Sequence, residues 1–126
     1  MTLYFVTFSY SQTDSYLDGI INDFNKYSKS IGDDIYIHKI LLCAANTTSF
    51  VNDYASTVED MLRKDSAKYD FYMINTIYTE RFGKYITDLK PYVSEETIKN
   101  YSNGVTSKIG YYKGKLVALV CISLYI

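Results

Sequence analysis

The sequence has no tryptophan, one histidine, one proline and two cysteines. Each shortage closes off a class of chemistry. Cys43 and Cys121 stand far apart, with no CxxC spacing and no Cys/His cluster, so the sequence offers no zinc site. One disulfide between them is left open. The lone histidine, His38, falls mid-strand beside Lys39 and brings no constellation with it, so it reads as structural. Glycine is missing from the turn Ser9-Tyr10-Ser11-Gln12-Thr13-Asp14 that follows the first apolar stretch. A dinucleotide fingerprint needs glycines there for close backbone approach to the pyrophosphate, and no Gly-Lys-Ser/Thr phosphate loop occurs either. Neither sign of charge dominates: 13 Lys and Arg face 14 Asp and Glu, a formal net charge of −1. No basic patch gives an electrostatic reason to expect nucleic acid. The longest apolar run, Leu116 to Ile126, is shorter than the ~20 residues a membrane-spanning helix requires. The apolar start, Met1 to Phe8, has no basic residue before it and no small-residue cleavage site after it, so it does not read as a signal peptide.

What is present fits an ordinary globular chain. The 126 residues are 48% apolar and 21% charged, enough for one domain with a real core. The 15 tyrosines are the compositional oddity. A tyrosine ring packs through its apolar face and keeps a polar tip, so it serves both half-buried packing and contact with polar ligands. Asn46-Thr47-Thr48 and Asn100-Tyr101-Ser102 match the glycosylation acceptor pattern, a weak signal in a chain rich in Asn, Ser and Thr.

Residues 2 to 8 read as a first strand. Tyr16, Leu17, Ile20, Ile21, Phe24 and Tyr27 then recur on one face of a 3.6-residue period. Ser15 with Asp18 fits a capping box, and Gly32 is a stop signal. Ile35 to Leu42 is rich in β-branched residues and reads as a second strand. Phe50, Val51, Tyr54, Ala55, Val58, Met61 and Leu62 mark a second amphipathic helix, and Tyr69 to Ile74 a third strand. Alternation of strand and helix at these lengths implies a mainly parallel sheet with helices on both faces, an α/β fold. The faces Ile20/Ile21/Phe24 and Val51/Tyr54/Val58 are expected to cover it. Short helices are expected near Ile77 to Tyr85 and from Ser94-Glu95-Glu96, the latter broken at Asn103-Gly104. Tyr111-Tyr112-Lys113-Gly114-Lys115 reads as a tight turn between two strands.

Chemistry concentrates at the strand ends. Parallel strands gather their carboxyl ends at one edge, where open α/β sheets bind ligands. The ends here carry Ser9-Tyr10-Ser11, then Cys43-Ala44-Ala45-Asn46, then Asn75-Thr76-Ile77-Tyr78. They supply hydroxyls, amides and tyrosine rings. Asp14, Asp18, Asp23, Asp53, Glu59 and Asp60 fall on helix exteriors or starts and read as capping and solvated charge. The set fits recognition of a polar, uncharged molecule such as a sugar, and equally fits plain polar loops, as connecting loops usually are. The candidate ligand-binding residues are Ser9, Tyr10, Asn46, Asn75, Thr76 and Tyr78, with no catalytic residue, metal ligand or cofactor expected. Tyr78 is expected at the carboxyl edge, its ring partly exposed near Tyr10. The alternative is a small self-contained α/β enzyme with Cys43 as nucleophile.

In order and local motifs, "LYFVTFSYSQTDSYLDGIINDFNK", "STVEDMLRKDSAKYDFYMINTIYTERFGKYITDLKPYV" and "YYKGKLVAL" resemble the amino-terminal lobe of extracellular solute-binding proteins of the sugar-binding type, the periplasmic-binding-protein-like II fold. The likeness is closest to versions in anaerobic gut fungi, where such a domain is often the ectodomain of a class C G-protein-coupled receptor. It covers nearly the whole chain. It implies an extracellular or cell-surface location, a second lobe that closes over the ligand, and a transmembrane receptor region in a fuller gene product. By the resemblance, residues 1–126 are a single partial domain lacking that second lobe. The run "LVCISLYI" departs from the family, with Val120 where Pro is usual and Leu124 where Asp is usual. A half-cleft is expected to bind weakly or not at all, because small-molecule sites bury most of the ligand. Leu116 to Ile126 is expected to be a strand whose far end, Ile122 to Ile126, is exposed and prone to self-association.

Overall fold

A computed structural model describes residues 1–9, 15–43, 54–64, 67–101 and 106–119. Expectations that rest on Tyr10, Asn46, Val51, Asn103-Gly104, Cys121 and Ile122 to Ile126 lie outside them. The chain is mixed α/β and divides into two units, Met1–Ile74 and Asn75–Ile126.

The first unit is built on a parallel sheet of three strands in the order β2-β1-β3, with β1 Thr2–Phe8, β2 Tyr36–Leu42 and β3 Phe71–Tyr72. β1 and β2 pair along their whole length, from Thr2 beside Tyr36 to Phe8 beside Leu42. β3 is shorter than the Tyr69 to Ile74 expected, pairing only Phe71 with Phe5 and Tyr72 with Val6. Hydrogen bonds from Asp70 N to Tyr4 O (3.0 Å) and Met73 N to Val6 O (2.9 Å) continue the contact at both ends. The Asp70 carboxylate adds to it by accepting from Tyr4 N at 2.7 Å. Being central, β1 is the most buried strand: Phe5, Val6 and Thr7 are all buried, as strands covered on both faces are.

The helices α1 (Ser15–Ile31) and α2 (Tyr54–Lys64) lie on opposite faces of this sheet. Alternation along β1 puts Phe5 on one face and Phe8 on the other. Phe5 stacks on Phe71 and is level with Lys39, which forms an ion pair with Asp18 of α1 at 2.5 Å. Phe8 packs its ring on Tyr54 of α2, 4.8 Å between centroids. α2 buries Ala55, Val58 and Leu62, the face expected from its periodicity.

α1 departs from the expected packing. Of its apolar residues Ile21 alone is buried, and Ile20, Phe24 and Tyr27 are 49%, 37% and 61% exposed. The physical reason is a set of polar contacts that fix the roll of the helix. β2 is an edge strand, and Tyr36 N bonds to Met1 O, so the N–H and C=O of Ile37 point away from β1. The Asn25 carboxamide takes both: Oδ1 accepts from Ile37 N at 2.7 Å and Nδ2 donates to Ile37 O at 3.1 Å. Ser28, buried, accepts from Ile35 N at 2.9 Å through Oγ. With Asp18, Asn25 and Ser28 turned to the strand, the apolar stripe is rolled off the sheet. The helix ends as Gly32 predicts. Gly32 has φ +82°, its N–H bonds to Lys29 O, and Asp33 N bonds to Ser28 O, the paired bonds of a Schellman cap.

The second unit opens with a 3-10 turn, Thr76–Tyr78, running into the short helix α3 (Thr79–Phe82). Another 3-10 turn, Lys90–Tyr92, precedes α4 (Glu95–Tyr101), and α5 (Thr106–Ile109) leads to an antiparallel hairpin, β4 Tyr111–Tyr112 and β5 Lys115–Leu116. α4 starts where the sequence places it, with Ser94 Oγ accepting from Thr97 N at 3.1 Å. The hairpin turn is carried by Lys113 and Gly114, both at positive φ (47° and 84°), the pattern of a two-residue primed turn. Phe82 and Leu116 are fully buried and Val117 nearly so. Gly83 lies against the Tyr112 ring so closely that a Cβ would overlap it. Asp88 ties the preceding loop to the hairpin: its Oδ1 accepts from Leu116 N at 3.0 Å, while Leu89 N donates to Leu116 O at 2.7 Å.

Candidate functional site

In the first unit the carboxyl edge of the sheet is formed by the last residues of β1 and β2 and the chain leaving β3. Ser9 follows β1 and is half-buried, and its N–H donates to Leu42 O at 3.2 Å, carrying the β1–β2 ladder one step past Phe8. Next to it a polar-aromatic ledge is built by residues the sequence reading treated as packing. Tyr54, first residue of α2, lays its ring on Phe8 and donates its hydroxyl to Met73 O at 2.8 Å. Burial, and then the neighbouring Tyr72, pushes the Tyr54 phenol above its ordinary pKa, so it stays a neutral donor. The available signal was its position: a tyrosine opening a helix after a strand-to-helix loop stands at the carboxyl edge, whatever its place in the helical period. Cys43 follows β2 directly and is buried, 6% exposed.

In the second unit Asn75, Thr76 and Tyr78 come together in a single turn. Asn75 is exposed and caps the turn, its Oδ1 accepting from Ile77 N at 3.1 Å and its C=O from Tyr78 N at 3.0 Å. The cap occupies Oδ1 and leaves Nδ2 as the amide's donor side. Thr76 is half-buried, and its C=O accepts from Thr79 Oγ1 at 2.8 Å. That hydroxyl also lies 2.7 Å from Ile109 O, so buried Thr79 clamps the turn to α5. The Tyr78 ring is half-buried and tilts against Phe82, 5.6 Å between centroids. The turn is therefore held rigidly from beneath by Thr79 and Phe82. Its outer surface is Asn75, the Tyr78 ring and Ile77, which is 72% exposed.

The remaining candidates take plainer places. His38 is exposed on β2 and meets Tyr4 edge-on, ring centroids 5.6 Å apart. Of the acidic residues, Asp23 pairs with Lys26, Asp18 with Lys39, and Asp60 with both Arg63 and Lys64, while Asp14 and Asp53 lie outside the described residues. Hydrogen bonds from Lys64 and then Arg63 hold the Asp60 carboxyl below its usual range. Tyr10 and Asn46 lie outside the described residues. Among the described residues no group of His, Cys, Asp and Glu could hold a metal ion, and no helix is long and apolar enough to cross a membrane. What the described candidates present is hydroxyl, amide and aromatic surface, which binds polar molecules by hydrogen bonding and ring stacking.

The chain matches no protein-family model, no curated protein and no solved structure.

Proposed function

We propose that this chain recognises a small, polar, uncharged solute, a carbohydrate by its chemistry, and does so without catalysis. The reading takes it as part of the amino-terminal lobe of a solute-binding domain of the periplasmic-binding-protein-like II kind. In that reading a second lobe closes on the ligand, and the domain serves at the cell surface, in a fuller gene product as the ectodomain of a class C receptor. One observation carries the proposal: the parallel order β2-β1-β3, with α1 and α2 on opposite faces. In such sheets the connections diverge beside the first strand, and the crevice at that switch point is where ligands bind. Ser9 stands at the end of that strand, and Asn75, Thr76 and Tyr78, which open the second unit, join the proposed set from their own turn. Tyr10 and Asn46 join the proposed set from the sequence alone. Burial of Cys43 gives the alternative, a thiol enzyme, no support, since a nucleophile must reach its substrate.

Saturation-transfer NMR with a panel of neutral mono- and disaccharides tests the reading. Sugars should receive saturation from the wild-type chain with roughly millimolar affinity, as expected of a site open on one side. Tyr78→Ala should reduce the transfer several-fold. Equal transfer in the two proteins, or none with any sugar, would remove the proposal.

A further inference from the structure

At the amino edge of the parallel sheet, the end of β1 away from Ser9, three aromatic rings stand open together. Residues paired across parallel strands share a face of the sheet, and so do residues two apart along one strand. Tyr4 pairs with His38, and Tyr36 precedes His38 by two, so all three side chains leave the sheet on the face that Phe8 shares with α2 further along. Among the described residues α2 does not cover this end: Tyr4 is 41% and Tyr36 53% exposed, and His38 is exposed. The Tyr4 and His38 rings are inclined at 68° with centroids 5.6 Å apart, so they meet as a corner and not as a stack. Tyr36 follows roughly 6.6 Å along the strand from His38. Beside Tyr4 is the exposed Asp70, whose Oδ2 accepts from Tyr4 N at 2.7 Å. Among the described residues no lysine or arginine forms an ion pair with Asp70. Lys68, two residues before it, lies over the Tyr69 ring instead, 5.2 Å from the centroid.

We propose that this corner binds a small quaternary ammonium compound of the choline type, its cation against the Tyr4, His38 and Tyr36 rings and beside the Asp70 carboxylate. The face of an aromatic ring is negative and attracts a cation. Two rings set at a steep angle offer that surface from two sides of one space, whereas stacked rings would hide it. A methylated ammonium suits such a space better than a primary amine. It donates no hydrogen bond, so it leaves water without needing the acceptors an ammonium would demand, and its methyl groups pack on the rings. Asp70 fixes the sign of the ligand and also limits its other end. A betaine carboxylate or a phosphocholine phosphate would bring a second anion to the same place. The fit is therefore with a free cation whose remainder is neutral. The inference does not rest on the proposed solute, whose first-unit residue Ser9 stands at the other end of β1.

Titration of the ¹⁵N-labelled full chain with choline chloride, with sodium chloride at matched ionic strength as the blank, tests it. Saturable shifts should appear at the amides of Tyr4, Tyr36, His38 and Asp70, with a roughly millimolar Kd, the range for a few rings open to water. The discriminating probe is neohexyl alcohol, which has the shape of choline with carbon in place of the charged nitrogen. It should bind about 10-fold more weakly, because it keeps the apolar contact and loses the attraction of the rings and carboxylate. Betaine and phosphocholine should also bind more weakly than choline. Asp70→Asn keeps an acceptor for Tyr4 N and should still weaken choline roughly 3–5-fold. Tyr36→Ala, at an exposed position where folding is not at stake, should do the same, whereas Tyr4→Phe, which keeps the ring, should bind within about 2-fold of the wild type. No saturable shift with choline would overturn the proposal. So would equal binding of neohexyl alcohol, undiminished binding by Asp70→Asn or Tyr36→Ala, or shifts confined to other surfaces.

Discussion

Removing the Asn25 carboxamide should loosen the edge of the parallel sheet by an amount the geometry allows us to work out. Asn25 supplies the hydrogen bonds that a fourth strand would supply, at 2.7 Å to Ile37 N and 3.1 Å to Ile37 O. Both residues are half-buried, so water can reach the vacated groups only in part. Each bond contributes about 1 kcal/mol net, and a donor or acceptor left without a partner costs somewhat more. The raw loss in Asn25→Ala is therefore about 2–3 kcal/mol. Alanine is the better helix former by about 0.6 kcal/mol, which offsets part of it. The expected net destabilisation is about 2 kcal/mol. Asn25→Leu should lose a similar amount, because its added apolar volume restores neither bond. Urea unfolding followed by circular dichroism gives the energy. Hydrogen exchange gives the location: the Ile37 amide should lose protection more than the amides of β1. A loss below about 0.5 kcal/mol, the scale of an ordinary surface change, with Ile37 still protected, would refute this account of how α1 is seated.

Phe82→Ala in the second unit should cost about 3–5 kcal/mol, since Phe82 is fully buried, whereas Phe24→Ala should cost only about 1–2 kcal/mol, a ranking that denaturant midpoints will check. Gly32→Ala should destabilise by about 1–2 kcal/mol, because φ is +82° there and a Cβ is disfavoured; thermal melting reads the difference. Tyr54→Phe tests the ionisation at the sheet edge. The folded chain holds the Tyr54 proton beyond pH 10.0, the ordinary phenol value, so the stability from this group is intact below pH 10 and is lost as pH rises above it, by about 1.4 kcal/mol per unit. Urea midpoints taken from pH 7 to 11 should fall more steeply in the wild type than in Tyr54→Phe.

The elements themselves were legible. β1, β2, both long helices, the Ser94 start and the Lys113-Gly114 turn follow from period, capping residues and turn chemistry, which are local properties. The roll of α1 was not. Periodicity reports which side of a helix is apolar, but not whether the sheet beneath is wide enough, or placed, to cover it. Asn25 looks like a neutral helix-surface residue in sequence, and its role depends on β2 being an edge strand, a fact of topology. Tyr54 packs on Phe8 as its place in the period implies, but its second role at the strand end was not legible. It satisfies the helical period of a core residue while also opening its helix, and position along the axis decided its surroundings. At the candidate site, the Asn75-Thr76-Ile77-Tyr78 turn was visible as a change from apolar to polar residues. Its clamp was not, because Thr79 finds Ile109 thirty residues away.

Amide mapping by NMR tests the proposed recognition most directly. The ¹⁵N-labelled full chain would be titrated with neutral sugars to tens of millimolar, well above the roughly millimolar affinity expected. The account predicts saturable shifts at the amides of Ser9, Asn75, Thr76 and Tyr78, with the amides along α1 unmoved. Shifts confined to other surfaces, or a spectrum unchanged by every sugar, would contradict it.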